Sequence, residues 1–358
     1  MTTVAAVDTR EEVKQRMTQV SADPTNIFAV AYLQLCQVSY LDPTDIPAAV
    51  VALPPIDSTG SWQCIWGPAQ SSDDSNLVFV AAFVMSGLPI FAAVVTRGTD
   101  VNIDDGWGVV VQIWEDMDVT RQVPLSWAPG NSARIAGGTA DGLSDIQSLT
   151  SGGNTLLQFL GTYLSDPANQ NPVLVVTGHS LGGCLTSVIA PWLQSALPNE
   201  LHIVPATFAA PTAGNADFAT YFQTSFGYSL RVFNSLDIVP LGWENINGVD
   251  DIYDTCNLDV PDLVYAGAKV FSDLMSIAGV SYTQPATNQV PLTGACTTSD
   301  VDWYGEALYQ HHTTTYMTLL GGTSVVSSPP LPARRRSAPS RLRKRFGPAR
   351  QLPKSVKR

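Results

Sequence analysis

The chain has 358 residues, 45% of them apolar, enough for one large α/β domain with an insertion or for two smaller domains. No apolar run is long enough to span a bilayer, and the segment from Met1 to Met17 lacks the apolar core of a secretory signal, so the expected location is the cytoplasm or an export route without such a leader. The net charge of −12 is divided: eleven of the nineteen Lys and Arg lie beyond residue 330 and no Asp or Glu lies beyond Glu306, which leaves −23 on residues 1–330 and +11 on the rest.

In chain order, residues 9–40 read as helical, with an apolar stripe through Ile27, Val30, Leu33, Leu35 and Val38. Residues 41–75 read as loop, with four prolines between Pro43 and Pro55 and with Trp62 and Trp66. Two apolar runs follow, 77–85 and 89–96, joined by Ser86-Gly87-Leu88; they form a hairpin or two neighbouring strands. Strand and helix signals then alternate: a helix over 140–164 broken at Gly152-Gly153, a strand at 172–177, a helix at 181–196 with Pro191 inside, a strand at 202–208, a helix at 215–225 and a strand at 229–234. Such alternation predicts a mostly parallel sheet covered by helices on both faces. Residues 241–300 read as a long insertion carrying one amphipathic segment with Leu263, Val264, Val270, Phe271, Leu274 and Met275 at helical spacing.

The domain reading is therefore an N-terminal helical and loop segment, 1–75, packed on an α/β domain, 76–328, and a basic tail, 329–358. The tail is rich in Pro and Arg without an apolar period, which predicts a disordered, solvated extension. Its charge suits nucleic acid or an anionic membrane, yet no nucleic-acid-binding fold accompanies it, so no nucleic-acid partner is expected. The five cysteines have no zinc spacing and read mostly as small buried residues. An oxidising compartment would allow Cys256 and Cys296 to pair.

The most informative stretch is the β-branched run ending in Gly178-His179-Ser180-Leu181-Gly182, with a helical segment behind it. A serine at a sharp strand-to-helix turn projects its hydroxyl from the sheet edge, and the next N–H, on Leu181, faces the same space. A serine nucleophile needs a histidine base and an acid that orients it. Of four histidines, His179 lies inside the elbow and His202 precedes any acid candidate, which leaves His311, with His312 as the alternative. Asp237, just past the strand at 229–234, is the acid; Asp250, Asp251 and Asp254 lie inside the insertion and fit less well.

These segments resemble the fungal-lipase-like, or class 3, lipase family of the α/β-hydrolase superfamily. The elbow Val176 to Gly183 is similar over its whole length. Thr207 to Asn215 resembles the next strand and turn, Phe233-Asn234-Ser235-Leu236-Asp237-Ile238-Val239-Pro240 the acid motif, Gln310-His311 with Tyr316 the opening of the last helix, and Thr96-Arg97-Gly98-Thr99 the oxyanion segment. The resemblance covers residues 75–320. Two departures stand out: Ala136-Gly137-Gly138-Thr139 occupies the place of a His-x-Gly-Phe element, and Asp237 and His311 lie 74 positions apart.

The resemblance implies an α/β-hydrolase fold and a serine ester hydrolase, a triacylglycerol lipase or esterase, with Thr99 and Leu181 as oxyanion donors. It implies no metal and no organic cofactor. The partners would be an ester or lipid substrate and, peripherally, a lipid interface. A phospholipase A1 or a feruloyl-type esterase on the same scaffold is the alternative; a non-catalytic protein docked by its basic tail is the remaining one. Arg97 is expected to hold the oxyanion loop by pairing with Asp100 or Asp116. A lid over an apolar cleft is expected either in 100–114, hinged at Gly106 and Gly108, or in 257–281.

Overall fold

The computed structural model describes residue 12 and residues 27–98, 118–169, 173–198, 201–286 and 289–328. The expected disordered tail, the first expected lid segment and Thr99 lie outside the described residues. Strands β1 (Gly60–Gln70), β2 (Leu77–Met85) and β3 (Leu88–Thr96) form an antiparallel meander. The β2–β3 link is a hairpin, and Ser86 and Gly87 at its tip both take positive φ, 52° and 78°, as a turn that follows the twist of paired strands requires. Two small ribbons follow, β4 (Gln122–Pro124) with β5 (Arg134–Ala136), and β6 (Thr150–Ser151) with β7 (Asn154–Thr155).

The chain then enters β8 (Val173–His179), β9 (Ile203–Phe208), β10 (Leu230–Asn234) and β11 (Gln289–Leu292). Among the described residues the main sheet has seven strands in the order β1-β2-β3-β8-β9-β10-β11. From β3 onward all neighbours are parallel. This is the α/β-hydrolase fold, with helices on both faces of a mostly parallel sheet.

Burial on both faces explains why the strands read as unbroken apolar runs. Alternate residues serve opposite layers. On β8, Leu174 and Val176 join one core while Val173 and Val175 join the other. The first layer holds α3 (Gly137–Ser148), α4 (Leu156–Ser165), α5 (Leu181–Ala196), α6 (Ala216–Ser225) and α7 (Asp262–Ala278), together with Trp303 and Ala307 of α8 (Trp303–His311). The second holds α1 (Ile27–Val38), α2 (Ile46–Val51) and, from α9 (Thr313–Leu319), Tyr316 and Met317.

Several expectations change. Residues 41–75 are not loop: they contain α2 and β1, the outermost strand. The strand is hidden in the sequence because register shifts between Cys64 and Trp66 and between Trp66 and Ala69 break its alternation, and Pro68 sits inside it. Residues 241–300 are not wholly an insertion, since they supply β11, a four-residue edge strand with Pro291 inside. Within the described part of 9–40 the helix is α1. It is buried nearly all round, including Gln34 and Gln37, so an amphipathic stripe is the wrong template for it. The break at Gly152-Gly153 is the turn of the β6–β7 ribbon, with φ of 59° and 82°. Arg97 donates to the carbonyl oxygen of Asp74 at 2.7 Å; Asp100 and Asp116 lie outside the described residues.

Candidate active site

The parallel strands deliver their C-terminal ends to one edge, where ligand sites of such sheets form. Ser180 leaves β8 and opens α5. Its φ of 60° and ψ of −128° are unfavourable for a residue with a Cβ. The turn is held by Ser180 N–H donating to Phe208 O at 2.9 Å and by Ser180 O accepting from the N–H groups of Gly183 and Cys184 at 2.9 and 3.1 Å. It also needs glycine on either side. A Cβ on Gly178 would lie 2.2 Å from Gly182 O, and one on Gly182 would lie 2.3 Å from Thr96 O. The flanking glycines thus let strand, turn and neighbouring β3 close on one another.

Asp237 follows β10 in a turn closed by its own N–H to Asn234 O at 3.0 Å. Its Oδ1 accepts the Val239 N–H at 3.0 Å, and its Oδ2 accepts the Tyr316 hydroxyl at 2.7 Å and His311 Nδ1 at 2.8 Å. The other nitrogen of that imidazole, Nε2, lies 2.9 Å from Ser180 Oγ. Ser180, His311 and Asp237 are therefore linked in series. The Asp237 side chain is fully buried while 14% of the His311 side chain remains exposed, so the series runs from the interior to the open side. Such a series can take the serine proton onto the imidazole while the buried carboxylate stabilises the charge.

The structure also separates the paired histidines. His311 is the last residue of α8 rather than the opening of a helix, and His312 is the N-cap of α9, its Nδ1 accepting the Thr314 N–H at 3.2 Å. Burial first, and then His311, lower the His312 pKa to about 4, so the cap acceptor stays unprotonated. The Leu181 N–H opens α5 and has no acceptor among the described residues; the second expected donor, Thr99, is not among them. His202 lies at the far, N-terminal side of β9, and Asp250 ends a short helical turn, Ile246–Asp250.

Some surrounding groups escaped sequence reasoning. The Tyr316 hydroxyl accepts the Asn234 N–H at 3.0 Å as well as donating to Asp237. Asn234 donates to the carbonyl and side-chain oxygens of Gln310 at 2.9 and 2.7 Å. Gln310 in turn donates to Glu306 and to Ala295 O, each at 2.7 Å. The sequence signals were Asn234, Gln310 and Tyr316 at family positions, without their mutual contacts. Cys256 and Cys296 are joined in a disulfide, which places the 295–297 loop against the segment that follows the acid. Glu306 lies near that disulfide, but the bonded sulfurs are not thiolates and offer no metal set.

The chain is similar to known lipases. The model of the family Lipase (class 3) matches residues 130–242, a span that holds Ser180 and Asp237 but not His311. Lipase ZK262.3 of Caenorhabditis elegans is 36% identical over 91 residues, 25% of this chain and 26% of that protein. Secreted mono- and diacylglycerol lipase 1 of Fusarium solani is 38% identical over 74 residues, 20% of this chain and 21% of that protein. The chain thus spans about a quarter of the length of the curated relatives it matches. The crystal structure of M37 lipase is similar over far more of the fold, with a TM-score of 0.69, 25% identity and coverage of 84% of this chain and 92% of that one.

Proposed function

We propose that this chain, which belongs to the class 3 lipase family, hydrolyses the carboxylic esters of acylglycerols through Ser180, His311 and Asp237. The observation that carries the reading is the hydrogen-bonded series from Ser180 Oγ through His311 to the buried Asp237, set on a turn whose backbone is strained around the serine. The similarity to a mono- and diacylglycerol lipase supports acylglycerols as the substrate class.

In this reaction Ser180 Oγ attacks the ester carbonyl carbon as its proton passes to His311 Nε2. The carbonyl oxygen becomes an oxyanion facing the Leu181 N–H at the start of α5, where the helix dipole adds to the hydrogen bond. By the family resemblance, the Thr99 N–H is the second donor. The bond to the leaving alkoxide breaks as His311 Nε2 returns the proton to it, and an acyl-enzyme remains. Water then loses a proton to the same nitrogen and attacks the acyl carbon. The carboxylic acid leaves, and the proton returns to Ser180. Asp237 keeps Nδ1 protonated and Nε2 free to act as the base.

Contact with a lipid surface belongs to the same proposal. Helix α7 packs inward through Val264, Ala268 and Met275. It turns a second stripe outward, with Leu263 62%, Val270 54%, Leu274 43% and Ile277 82% exposed. This stripe gives the 257–281 segment a face for an acyl-rich surface as well as a packed one.

Fluorophosphonate labelling together with hydrolysis assays tests the function. Label is expected on Ser180 in the wild type and not in Ser180→Ala, with turnover on mono-, di- or triacylglycerols. Preference for phospholipids or feruloyl esters would reassign the substrate. An unlabelled wild type that hydrolyses no ester would sink the proposal.

A further inference from the structure

We propose that His179, held by Tyr40, is a positioning residue: it fixes the main chain of His311 at the distance from Ser180 that proton transfer needs. The inference rests on the ester-hydrolase reading above and concerns a residue that the triad does not use.

His179 Nε2 lies 2.9 Å from the carbonyl oxygen of His311, and Nδ1 lies 3.0 Å from the Tyr40 hydroxyl. A carbonyl only accepts, so Nε2 carries the proton. Nδ1 is then the lone-pair nitrogen, and the Tyr40 O–H donates to it. The two contacts select one neutral tautomer. The carbonyl concerned belongs to the last residue of α8, where helical C=O groups lack a partner within the helix. His179 satisfies it from across the sheet edge.

The geometry closes a ring of bonds. Ser180 is covalently next to His179, His179 grips the His311 backbone, and the His311 side chain returns to Ser180 Oγ at 2.9 Å. Base and nucleophile are tied together twice, once through the reacting atoms and once behind them. A misplacement of about 1 Å in such a pair costs on the order of 100-fold in rate, so the second tie bears directly on turnover.

The surroundings keep the tie neutral. His179 is 3% exposed. It meets Tyr40 and Tyr316 edge-on, with centroids 6.0 and 5.8 Å away, and His311 at 4.7 Å. Burial lowers its pKa well below the ordinary histidine value, and the nearby His311 and His312 push in the same direction. When His311 takes the serine proton, a second cation beside it is thereby avoided. Tyr40 also touches the other side of the site: a Cβ on Gly98 would lie 2.5 Å from its hydroxyl and 3.1 Å from Ser180 Cβ.

Three full-length variants test this: His179→Leu, His179→Gln and Tyr40→Phe. The Gln amide places an N–H near the former Nε2 and restores the grip on His311; Leu does not. For His179→Leu, kcat should fall about 10- to 100-fold with KM within about twofold, and His179→Gln should recover most of it. Proton NMR of the His311 Nδ1–H signal supplies a readout independent of esters. It should be sharp in the wild type and His179→Gln and broadened in His179→Leu. Equal loss in the Leu and Gln variants with a sharp His311 signal would mean that the ring only fills space, and the proposal would fall. If His179→Leu does not fold, Tyr40→Phe decides: nitrogen NMR should show mixed tautomers at position 179 and kcat should drop several-fold. A single tautomer with wild-type kcat overturns the proposal. Failure of the hydrolase reading would look different, with no label and no turnover in the wild type, while the resonances of His311 still report whether His179 holds it.

Discussion

Tyr316 donates its hydroxyl to Oδ2 of Asp237 at 2.7 Å, the same oxygen that receives His311 Nδ1. Burial first, and then the charge of Asp237, raise the phenol pKa well above its ordinary value, so the hydroxyl remains a donor throughout the working range. The same oxygen atom of Tyr316 accepts the Asn234 N–H, which ties the end of β10 to the acid. Tyr316→Phe removes both links. Turnover should fall about tenfold, the equivalent of roughly 1.4 kcal/mol. Stability should fall by about 1–3 kcal/mol because a buried N–H loses its acceptor. Steady-state kinetics and urea unfolding measure the two effects, and unchanged values in both would contradict this account of the acid.

The adjacent histidines should separate cleanly. His311→Ala should lose at least about 10⁴-fold in kcat, the scale seen when a base of this kind is removed. His312→Ala should keep turnover within a few-fold and lose about 1 kcal/mol of stability with its helix cap. A dead His312→Ala enzyme beside an active His311→Ala enzyme would reverse the assignment.

His312 also predicts a pH dependence. Its pKa is about 4 in the folded chain against about 6.5 when unfolded. Between these values the unfolded state holds more protons, so stability rises with pH. The contribution is fully present above about pH 6.5 and is lost as pH falls to about 4. His179, lowered for the same leading reason, acts in the same direction. His312→Asn keeps a capping side chain without the titration, and urea unfolding at pH 7 and pH 5 should show a smaller loss than in the wild type.

The disulfide closes a loop of 40 positions, which corresponds to about 3–4 kcal/mol of stabilisation in the chain-entropy account. The double variant Cys256→Ser with Cys296→Ser should lose stability on that scale. Its turnover should also fall, because Ala295 O holds Gln310 beside His311. An equally stable double variant would show that the loop is held by its hydrogen bonds alone.

For α7, the pair Leu274→Asp with Ile277→Asp alters only exposed positions. Stability should change by no more than about 0.5 kcal/mol per site, and turnover on soluble short-chain esters should stay as it was. Turnover on emulsified acylglycerol should drop. No difference between soluble and emulsified substrates would remove α7 from the lipid-contacting surface.

Sequence patterns and geometry agree where local chemistry is strong. The run of β8 into Ser180 and α5 was legible because a buried parallel strand, two glycines and a helix start each leave a mark on the chain. Asp237 was legible from its place after β10. The edge strands were not, because β1 has an irregular register and β11 has four residues with a proline. That His312 begins the last helix was legible, but its side-chain contact with the Thr314 N–H was not. The second contact of Tyr316, to Asn234, and the grip of His179 on His311 span 82 and 132 positions, and no local pattern encodes such distances.

The two outermost strands bear on how this protein behaves in a crowd. Exposed strand edges are templates on which another chain can grow. Here Pro68 interrupts β1 at one rim and Pro291 interrupts β11 at the other. Proline has no N–H to offer an incoming strand, and the register of β1 is irregular as well. The same features that made these strands hard to read therefore guard the protein against edge-to-edge aggregation, at concentrations where a straight, fully bonded rim would recruit its neighbours.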